Sequence, residues 1–151
     1  MRKMYLWLLL LMVLNEMPYC QTCNLWKPRL KAHTESIENA FVKYHNRRRR
    51  RYKHKELVWE SGLNLWTKYV VQEAKDCEHA ERNAAMYSLS YKVCKHRTGY
   101  SAEEVAESCS IEMMSTEWLN KIKEFRGFAC TIVFCPGIDH HDFAVCMYQQ
   151  Y

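Results

Sequence analysis

Apolar residues recur at intervals of three or four in three segments of the chain, a pattern typical of amphipathic helices. The first segment runs from Leu30 to Asn46, where the side chain of Thr34 or Ser36 can cap the first turn. The second opens at Ser61 and ends near Cys77, and its spacing is the most regular. The third spans Ile111 to Phe125. The apolar positions that set the three patterns are Ile37, Phe41, Leu63, Trp66, Tyr69, Val70, Met114, Trp118, Leu119 and Ile122.

The last part of the chain has a different residue composition. Residues Phe128–Cys135 and Asp142–Tyr148 are rich in β-branched and aromatic side chains, and the turn-prone pair Pro136-Gly137 lies between them. Two such runs joined by a turn and a polar loop predict a β-hairpin.

The stretch from residue 78 to 110 is polar, so we expect mainly loop there, with short helical turns around Ala84–Ser88 and Ala102–Glu107. Helices that precede a terminal pair of strands predict an α+β fold, in which the helices pack on a small antiparallel sheet.

The N-terminal residues predict secretion. Arg2 and Lys3 precede an unbroken apolar run from Met4 to Leu14, and a polar segment ending at Cys20 follows. Charge, a short apolar core and a polar end are typical of a signal peptide. The run is too short for a transmembrane helix. We therefore expect an extracellular protein that does not span a membrane.

These features divide the chain into a signal peptide (1–20), an N-terminal segment (21–32) and one domain (33–151). The whole chain has a formal charge of +5, and the signal peptide carries two basic groups and one acid, so the mature chain has +4. Most of this excess lies in one run of five consecutive arginines, Arg47, Arg48, Arg49, Arg50 and Arg51.

The chain contains eight cysteines, which in a short exported protein indicate disulfides. Cys20 leaves with the signal peptide if cleavage follows it, and seven cysteines then remain. Either cleavage falls earlier and Cys20 stays, or one thiol is unpaired or joins two chains, so that a covalent dimer is an alternative to the expected monomer.

The chain contains His45-Asn46-Arg47-Arg48-Arg49, then Leu57-Val58-Trp59, and near its end Val145-Cys146-Met147-Tyr148. Together these motifs resemble the CAP superfamily of cysteine-rich secretory, venom-allergen and plant pathogenesis-related proteins. His45-Asn46-Arg47-Arg48-Arg49 is similar to the family's His-Asn-x-x-Arg helix, and Leu57-Val58-Trp59 to its Leu-x-Trp segment. Weaker similarities lie at Ala102–Ala106 and Trp118–Lys123. The ending resembles the family most, through Cys130, Cys135-Pro136 and Val145-Cys146-Met147-Tyr148.

The resemblance covers about residues 33 to 148 and implies an α-β-α sandwich. It also implies that one family strand is missing, since only Glu124–Gly127 separates two elements that normally flank a His-x-Thr-Gln strand. In the family, two histidines and two glutamates can bind a metal in a cleft. Here His79 and Glu103 remain, Lys121 replaces the second glutamate, and the second histidine belongs to the missing strand. The resemblance therefore implies neither a metal nor another cofactor.

The family's pattern also implies the disulfides Cys77–Cys135 and Cys130–Cys146. Cys94 and Cys109 would then form a local pair, and Cys23 would be the odd cysteine.

The sequence gives little support for catalytic activity. His140 and His141 lie beside Asp139 and Asp142, but adjacent residues of a strand point to opposite faces, which favours a solvated loop over a metal site. No Gly-x-Ser-x-Gly motif occurs. We predict that the protein is not an enzyme. A metal-dependent hydrolase that uses His79, Glu103 and the two adjacent histidines is the alternative.

The arginine run has three interpretations. It can be a solvated helix end, a binding site for sulfated glycans or acidic lipids, or a cleavage site for a processing protease. Nucleic acid is not an expected partner of a secreted chain that lacks interleaved aromatic motifs. Trp59, Trp66, Tyr69 and Trp118 are predicted to lie in the core. The function hypothesis is a secreted, non-catalytic protein that binds another extracellular protein, a lipid or sterol, or a sulfated glycan.

Overall fold

The computed structural model describes residues 28–72, 77–87, 91–135 and 141–150. The predicted signal peptide and residues 21–27 lie outside them. Five helices occur in these ranges: α1 (Glu35–Arg51), α2 (Ser61–Gln72), α3 (Cys77–Tyr87), α4 (Ala102–Met113) and α5 (Thr116–Lys121). Five strands accompany them: β1 (Arg29–Leu30), β2 (Val58–Trp59), β3 (Tyr91–Arg97), β4 (Gly127–Cys135) and β5 (His141–Gln149).

The five strands form one sheet in the order β1-β4-β5-β3. The predicted hairpin is confirmed, because β4 and β5 pair antiparallel over nine residues with Cys130 opposite Cys146. The two short strands β1 and β2 both lie along the outer edge of β4, the first antiparallel and the second parallel. β3 pairs antiparallel with β5 and forms the other end of the sheet.

Helices cover both faces of this sheet, so the predicted α+β fold is confirmed. Successive residues of a strand point to opposite faces. Even-numbered residues of β4 and β5, from Phe128 to Tyr148, face α1, α4 and α5. Odd-numbered residues, among them Val133 and Phe143, face α2 and α3. Because both faces of these strands are buried, their sequences are nearly continuous apolar runs.

Helix α1 starts and ends later than its apolar spacing predicted. Thr34 adopts extended backbone angles, and its hydroxyl accepts a hydrogen bond from the backbone N–H of Ile37. At the other end, the helix continues through the whole arginine run, since arginine is a good helix former and cations are favoured in a last turn.

The prediction of mainly loop between residues 78 and 110 was wrong, but the helical turns expected around Ala84–Ser88 and Ala102–Glu107 overlap α3 and α4. This stretch contains most of α3, the strand β3 and the greater part of α4. Helix α4 begins with a complete capping box, in which Ser101 and Glu104 bond each other's backbone N–H groups. In α4 the buried residues Val105, Ala106, Cys109 and Met113 recur at helical spacing, so the prediction underestimated only the length of this helix.

A single helix over residues 111–125 was also a wrong prediction. Helix α4 ends at Met113, and α5 starts two residues after Met114. Ser115 separates them because its side chain accepts a hydrogen bond from the backbone N–H of Trp118 and so caps a new helix.

Three disulfides join these layers. Cys130–Cys146 links the two central strands, with a Cα–Cα distance of 4.0 Å. Cys94–Cys109 joins β3 to α4, and Cys77–Cys135 joins α3 to the end of β4, with Cα–Cα distances of 5.5 and 6.1 Å. The family resemblance implied two of these pairs, Cys77–Cys135 and Cys130–Cys146, and Cys94–Cys109 is the local pair expected from the cysteines that were left.

Candidate functional site

The five consecutive arginines have different environments because each residue of a helix is rotated by about 100° from the one before. Arg49 follows Ile37, Phe41 and His45 at intervals of four residues, so it continues the buried stripe of α1. Its side chain has no exposed surface. The two ends of the run, Arg47 and Arg51, are exposed instead.

Arg49 holds two segments of the fold together. Its guanidinium donates hydrogen bonds to four backbone carbonyls, at Lys55, Ile122, Lys123 and Phe125, over distances of 2.7 to 3.3 Å. Burial, followed by repulsion from Arg126, lowers the pKa of Arg49. A guanidinium nevertheless stays protonated in proteins. Arg49 is therefore a structural residue that no ligand can reach.

Two other arginines of the run also have partners within the protein. Arg48 is half-buried, and its Nε donates to the carbonyl of Met114 at 3.2 Å, near the end of α4. Arg50 forms an exposed ion pair with Glu56 at 2.7 Å. Its positive charge is therefore largely compensated.

Arg47 and Arg51 remain on one face of α1, one helical turn apart. Among the described residues, neither has a carboxylate within ion-pair distance. Together with Tyr44, Arg48 and Ile111 they line a concavity of about 170 Å³ between α1 and α4, which we call the basic cleft. Two uncompensated guanidiniums beside a third are suited to bind an anion.

A second concavity lies on the opposite layer. It has a volume of about 670 Å³, and we call it the apolar groove. The residues that line it are Glu60, Gly62, Leu63, Leu65, Trp66, Tyr69 and Gln149.

The apolar groove corrects the prediction that Trp66 and Tyr69 belong to the core. They are 52% and 50% exposed, and their rings meet edge to face at 5.9 Å. Helix α2 instead turns Asn64 and Thr67 inward, where Asn64 donates to the carbonyl of Cys130. Trp118 is buried as predicted, and Trp59 packs against the same core.

A serine and a histidine do approach each other, but in the core. His45 Nδ1 lies 2.8 Å from Ser110 Oγ, and His45 Nε2 lies 2.8 Å from the hydroxyl of Tyr148. Ser110 donates its own proton to the carbonyl of Ala106 at 2.6 Å. His45 Nδ1 is then the donor to Ser110, and Nε2 accepts from Tyr148.

This buried network is not a catalytic dyad. All three side chains lie inside the core, so no substrate reaches the Ser110 hydroxyl. Burial lowers the pKa of His45 to about 3 and raises the pKa of Tyr148, which keeps both groups neutral. The network satisfies polar groups in the core, and it fixes where α1, α4 and β5 meet.

The two residues proposed as remnants of a family cleft lie in different layers. His79 belongs to α3, whose neighbouring Ala80 packs on the odd-numbered face of the sheet. Glu103 belongs to α4 on the other face, and it accepts a hydrogen bond from Ser36 at 2.9 Å. The structure therefore does not bring His79 and Glu103 together.

The other candidate metal ligands are described only in part. Asp139 and His140 lie outside the described residues, whereas Asp142 is fully buried and pairs with Lys31 at 2.7 Å. Within the described ranges, the potential ligand group is His45 with Cys130 and Cys146. The two sulfurs are joined in a disulfide, so they are not thiolate ligands.

No protein-family model, curated protein or solved structure matches the chain. In the part of the chain that the structure describes, no helix is long and apolar enough to cross a membrane.

Sequence reasoning found the arginine run but not its division into separate roles. A signal was available, because Arg49 lies four residues after His45 in the stripe that starts at Ile37. For the apolar groove, Gly62, Leu65, Trp66 and Tyr69 also lie at helical spacing, on the face of α2 opposite Asn64. The core-facing stripe of α2 contains the polar residues Asn64 and Thr67, so apolar spacing alone selected the exposed face of this helix.

Proposed function

We propose that this chain is a secreted, non-catalytic, CAP-like protein that binds a sulfated glycan through the basic cleft. The observation that carries the proposal is the exposed pair Arg47 and Arg51, which have no ion-pair partner among the described residues. Guanidiniums pair with sulfate oxygens in a bidentate way, which gives both affinity and orientation.

The shape of the basic cleft supports a chain-like ligand of this kind. Tyr44 and Ile111 give it apolar walls, and the arginines of α1 lie one turn apart, with about 5–6 Å between their Cβ atoms. A sugar ring can contact the apolar walls while its sulfates meet Arg47 and Arg51. The half-buried Arg48, anchored on Met114, provides a third cation in a fixed position.

Secretion is supported by the cysteines and by the N-terminal sequence. Six described cysteines form three disulfides, which persist mainly in oxidising compartments. The predicted signal peptide would deliver the chain to that pathway. A non-catalytic role is supported by the placement of His79 and Glu103 in different layers and by the burial of His45 and Ser110.

The test compares two double variants with the same change in net charge. Arg47→Gln/Arg51→Gln removes the pair that lines the basic cleft. Arg50→Gln/Arg82→Gln removes two arginines that Glu56 and Glu78 already neutralise. Titration calorimetry with a heparin-derived oligosaccharide should show affinity lower by roughly tenfold or more for the first variant, and by less than about twofold for the control.

Equal losses in both variants would refute the cleft as the binding site, because net charge alone would then govern affinity. Vesicles that contain phosphatidylserine distinguish another anionic partner. Binding to these vesicles that is tighter than binding to the oligosaccharide, and sensitive to the same pair, would mean that the cleft recognises acidic lipid instead.

The apolar groove favours a second candidate function, the binding of a lipid or sterol. Its volume of about 670 Å³ lies in the usual range for small-molecule sites, and apolar side chains dominate its lining. A fluorescent fatty acid should lose affinity for Tyr69→Ser but not for Tyr100→Ser, since Tyr100 is a comparably exposed tyrosine elsewhere. Equal affinity of the two variants for the fatty acid would exclude the apolar groove as its binding site.

A further inference from the structure

Strand β3 forms an end of the sheet, and its outer edge is unpaired among the strands that the structure describes. It pairs with β5 through all seven of its residues, from Tyr91 to Arg97. On its other side, no described strand pairs with it. A strand of seven residues presents an edge of about 23 Å, with backbone N–H and C=O groups that another strand can use.

The charged residues of strand β3 itself are all basic. Lys92, Lys95 and Arg97 are its permanent cations, His96 lies among them, and the strand contains no acidic residue. Lys95 and Arg97 are exposed, whereas the ammonium group of Lys92 lies 5.1 Å from the centre of the Trp118 ring. Positively charged side chains therefore lie on both faces of the sheet along this edge.

The edge is also held rigidly in place. Cys94, near the middle of β3, is fully buried and forms a disulfide with Cys109 of α4. Tyr91 and Val93 pack against the apolar cluster on the opposite face. Because β3 is fixed on both faces, binding of a partner does not require the strand to become ordered first. The entropic cost of binding is therefore lower.

We propose that an extended acidic segment of a partner protein pairs with the outer edge of β3 by strand addition. The backbone of the segment would continue the sheet, and its carboxylates would meet Lys92, Lys95 and Arg97. This function goes beyond glycan binding, because it uses a different element and requires a peptide backbone.

The positive charge of the β3 edge favours an acidic peptide segment over a second copy of the chain. Two β3 strands in contact would bring like charges opposite each other, which is unfavourable. Lysines commonly protect edge strands from such self-pairing. The same charges favour a strand of opposite sign, so protection from self-pairing and recognition of an acidic strand are compatible.

The test uses the full chain with its disulfides intact and a labelled eight-residue peptide of alternating glutamate and valine. Fluorescence anisotropy should detect binding, and hydrogen exchange should show protection of β3 amides that the peptide covers. As a control, the same peptide is N-methylated at alternate residues, on the backbone nitrogens that would face β3. This peptide keeps its charge but cannot donate the backbone hydrogen bonds that join it to the strand. We expect its affinity to be at least tenfold lower.

Variants separate this site from the basic cleft. Lys95→Gln/Arg97→Gln should weaken peptide binding by roughly tenfold, whereas Arg47→Gln/Arg51→Gln should leave it within about twofold. Equal binding of the N-methylated peptide would overturn the proposal even if a β3 variant fails to fold. Protection of α1 amides in place of β3 amides, or absence of binding, would overturn it as well.

Discussion

At the scale of single residues, position on the helix decides the role of each arginine in the run. Arg49 is buried and bonded to four carbonyls, Arg50 is paired with Glu56, and Arg47 and Arg51 face the basic cleft. The sequence predicts a cluster of positive charge. It does not reveal which arginines have a structural role. That depends on contacts with residues 55 and 56, six positions away, and with residues 122, 123 and 125, more than 70 positions away.

His45 makes stability depend on pH. Its pKa is lowered from 6.5 to about 3 in the folded protein, whereas an unfolded chain has an ordinary histidine. Between these values the unfolded state binds more protons, so the free energy of unfolding falls as pH decreases from about 6.5 towards 3. The contribution of His45 is a loss of about 3 kcal/mol between pH 7 and pH 4.

Urea unfolding at pH 7 and pH 4 measures this effect, with His45→Gln as the matched variant. Glutamine has hydrogen-bonding groups but does not titrate, so the variant should lose distinctly less stability between the two pH values. An equal loss in both proteins would show that other groups cause the pH dependence.

At the scale of elements, apolar patterning predicted the parts that are buried most evenly. The hairpin of β4 and β5 was found because both of its faces are covered, which gives long apolar runs. Strand β3 was missed because it lies at the sheet edge, where Cys94 is its one fully buried residue. Helix α3 was predicted only as a short turn around Ala84–Ser88, because helix-favouring residues such as Ala84 and Ala85 carry no clear apolar pattern.

The turn between α4 and α5 shows the same limit. Met113, Met114 and Trp118 are all buried, so apolar spacing alone continues one helix across them. The break depends on the Ser115 cap, a local hydrogen bond that a single serine provides. Sequence reasoning that looks for caps as well as for apolar spacing would have found it.

The disulfide Cys94–Cys109 should matter mainly for the edge of the sheet. It closes a loop of 15 residues between β3 and α4, and bridges of this size typically contribute about 2–4 kcal/mol. We expect Cys94→Ser/Cys109→Ser to be destabilised by this amount in urea unfolding. Hydrogen exchange should increase more in β3 than in the hairpin of β4 and β5.

The pairs Cys77–Cys135 and Cys130–Cys146 remain intact in this double variant and serve as internal references. Uniform acceleration of exchange through β4 and β5 would contradict a local role for the third bridge.

At the scale of the whole molecule, the layers separate three surfaces. The basic cleft lies on the layer of α1 and α4, and the apolar groove lies on the layer of α2. The outer edge of β3 lies between these layers at the end of the sheet. Changes to one surface can therefore be made without altering the others, which allows each proposed partner to be tested separately.

The cysteine count leads to a prediction about the mature chain. Six of the eight cysteines are paired in the described residues, which leaves Cys20 and Cys23. If the signal peptide is removed after Cys20, Cys23 has no partner within the chain. Intact mass of the secreted protein should show a start near Gln21 and Cys23 either linked to a second chain or modified.

A secreted chain that keeps residues 1–20 would contradict the predicted signal peptide. A mature chain with a Cys20–Cys23 bridge would instead mean that cleavage occurs before Cys20.

The most direct test of the central claim is a set of five single glutamine variants, one for each arginine from 47 to 51. Each is measured for its affinity for a heparin-derived oligosaccharide and for its melting temperature. We predict that Arg47→Gln and Arg51→Gln lose affinity without losing stability, that Arg49→Gln loses stability, and that Arg50→Gln changes neither. Arg48→Gln should lose some of both, because Arg48 lines the cleft and also bonds to Met114. Equal loss of affinity in all five variants, with unchanged melting temperatures, would contradict the account.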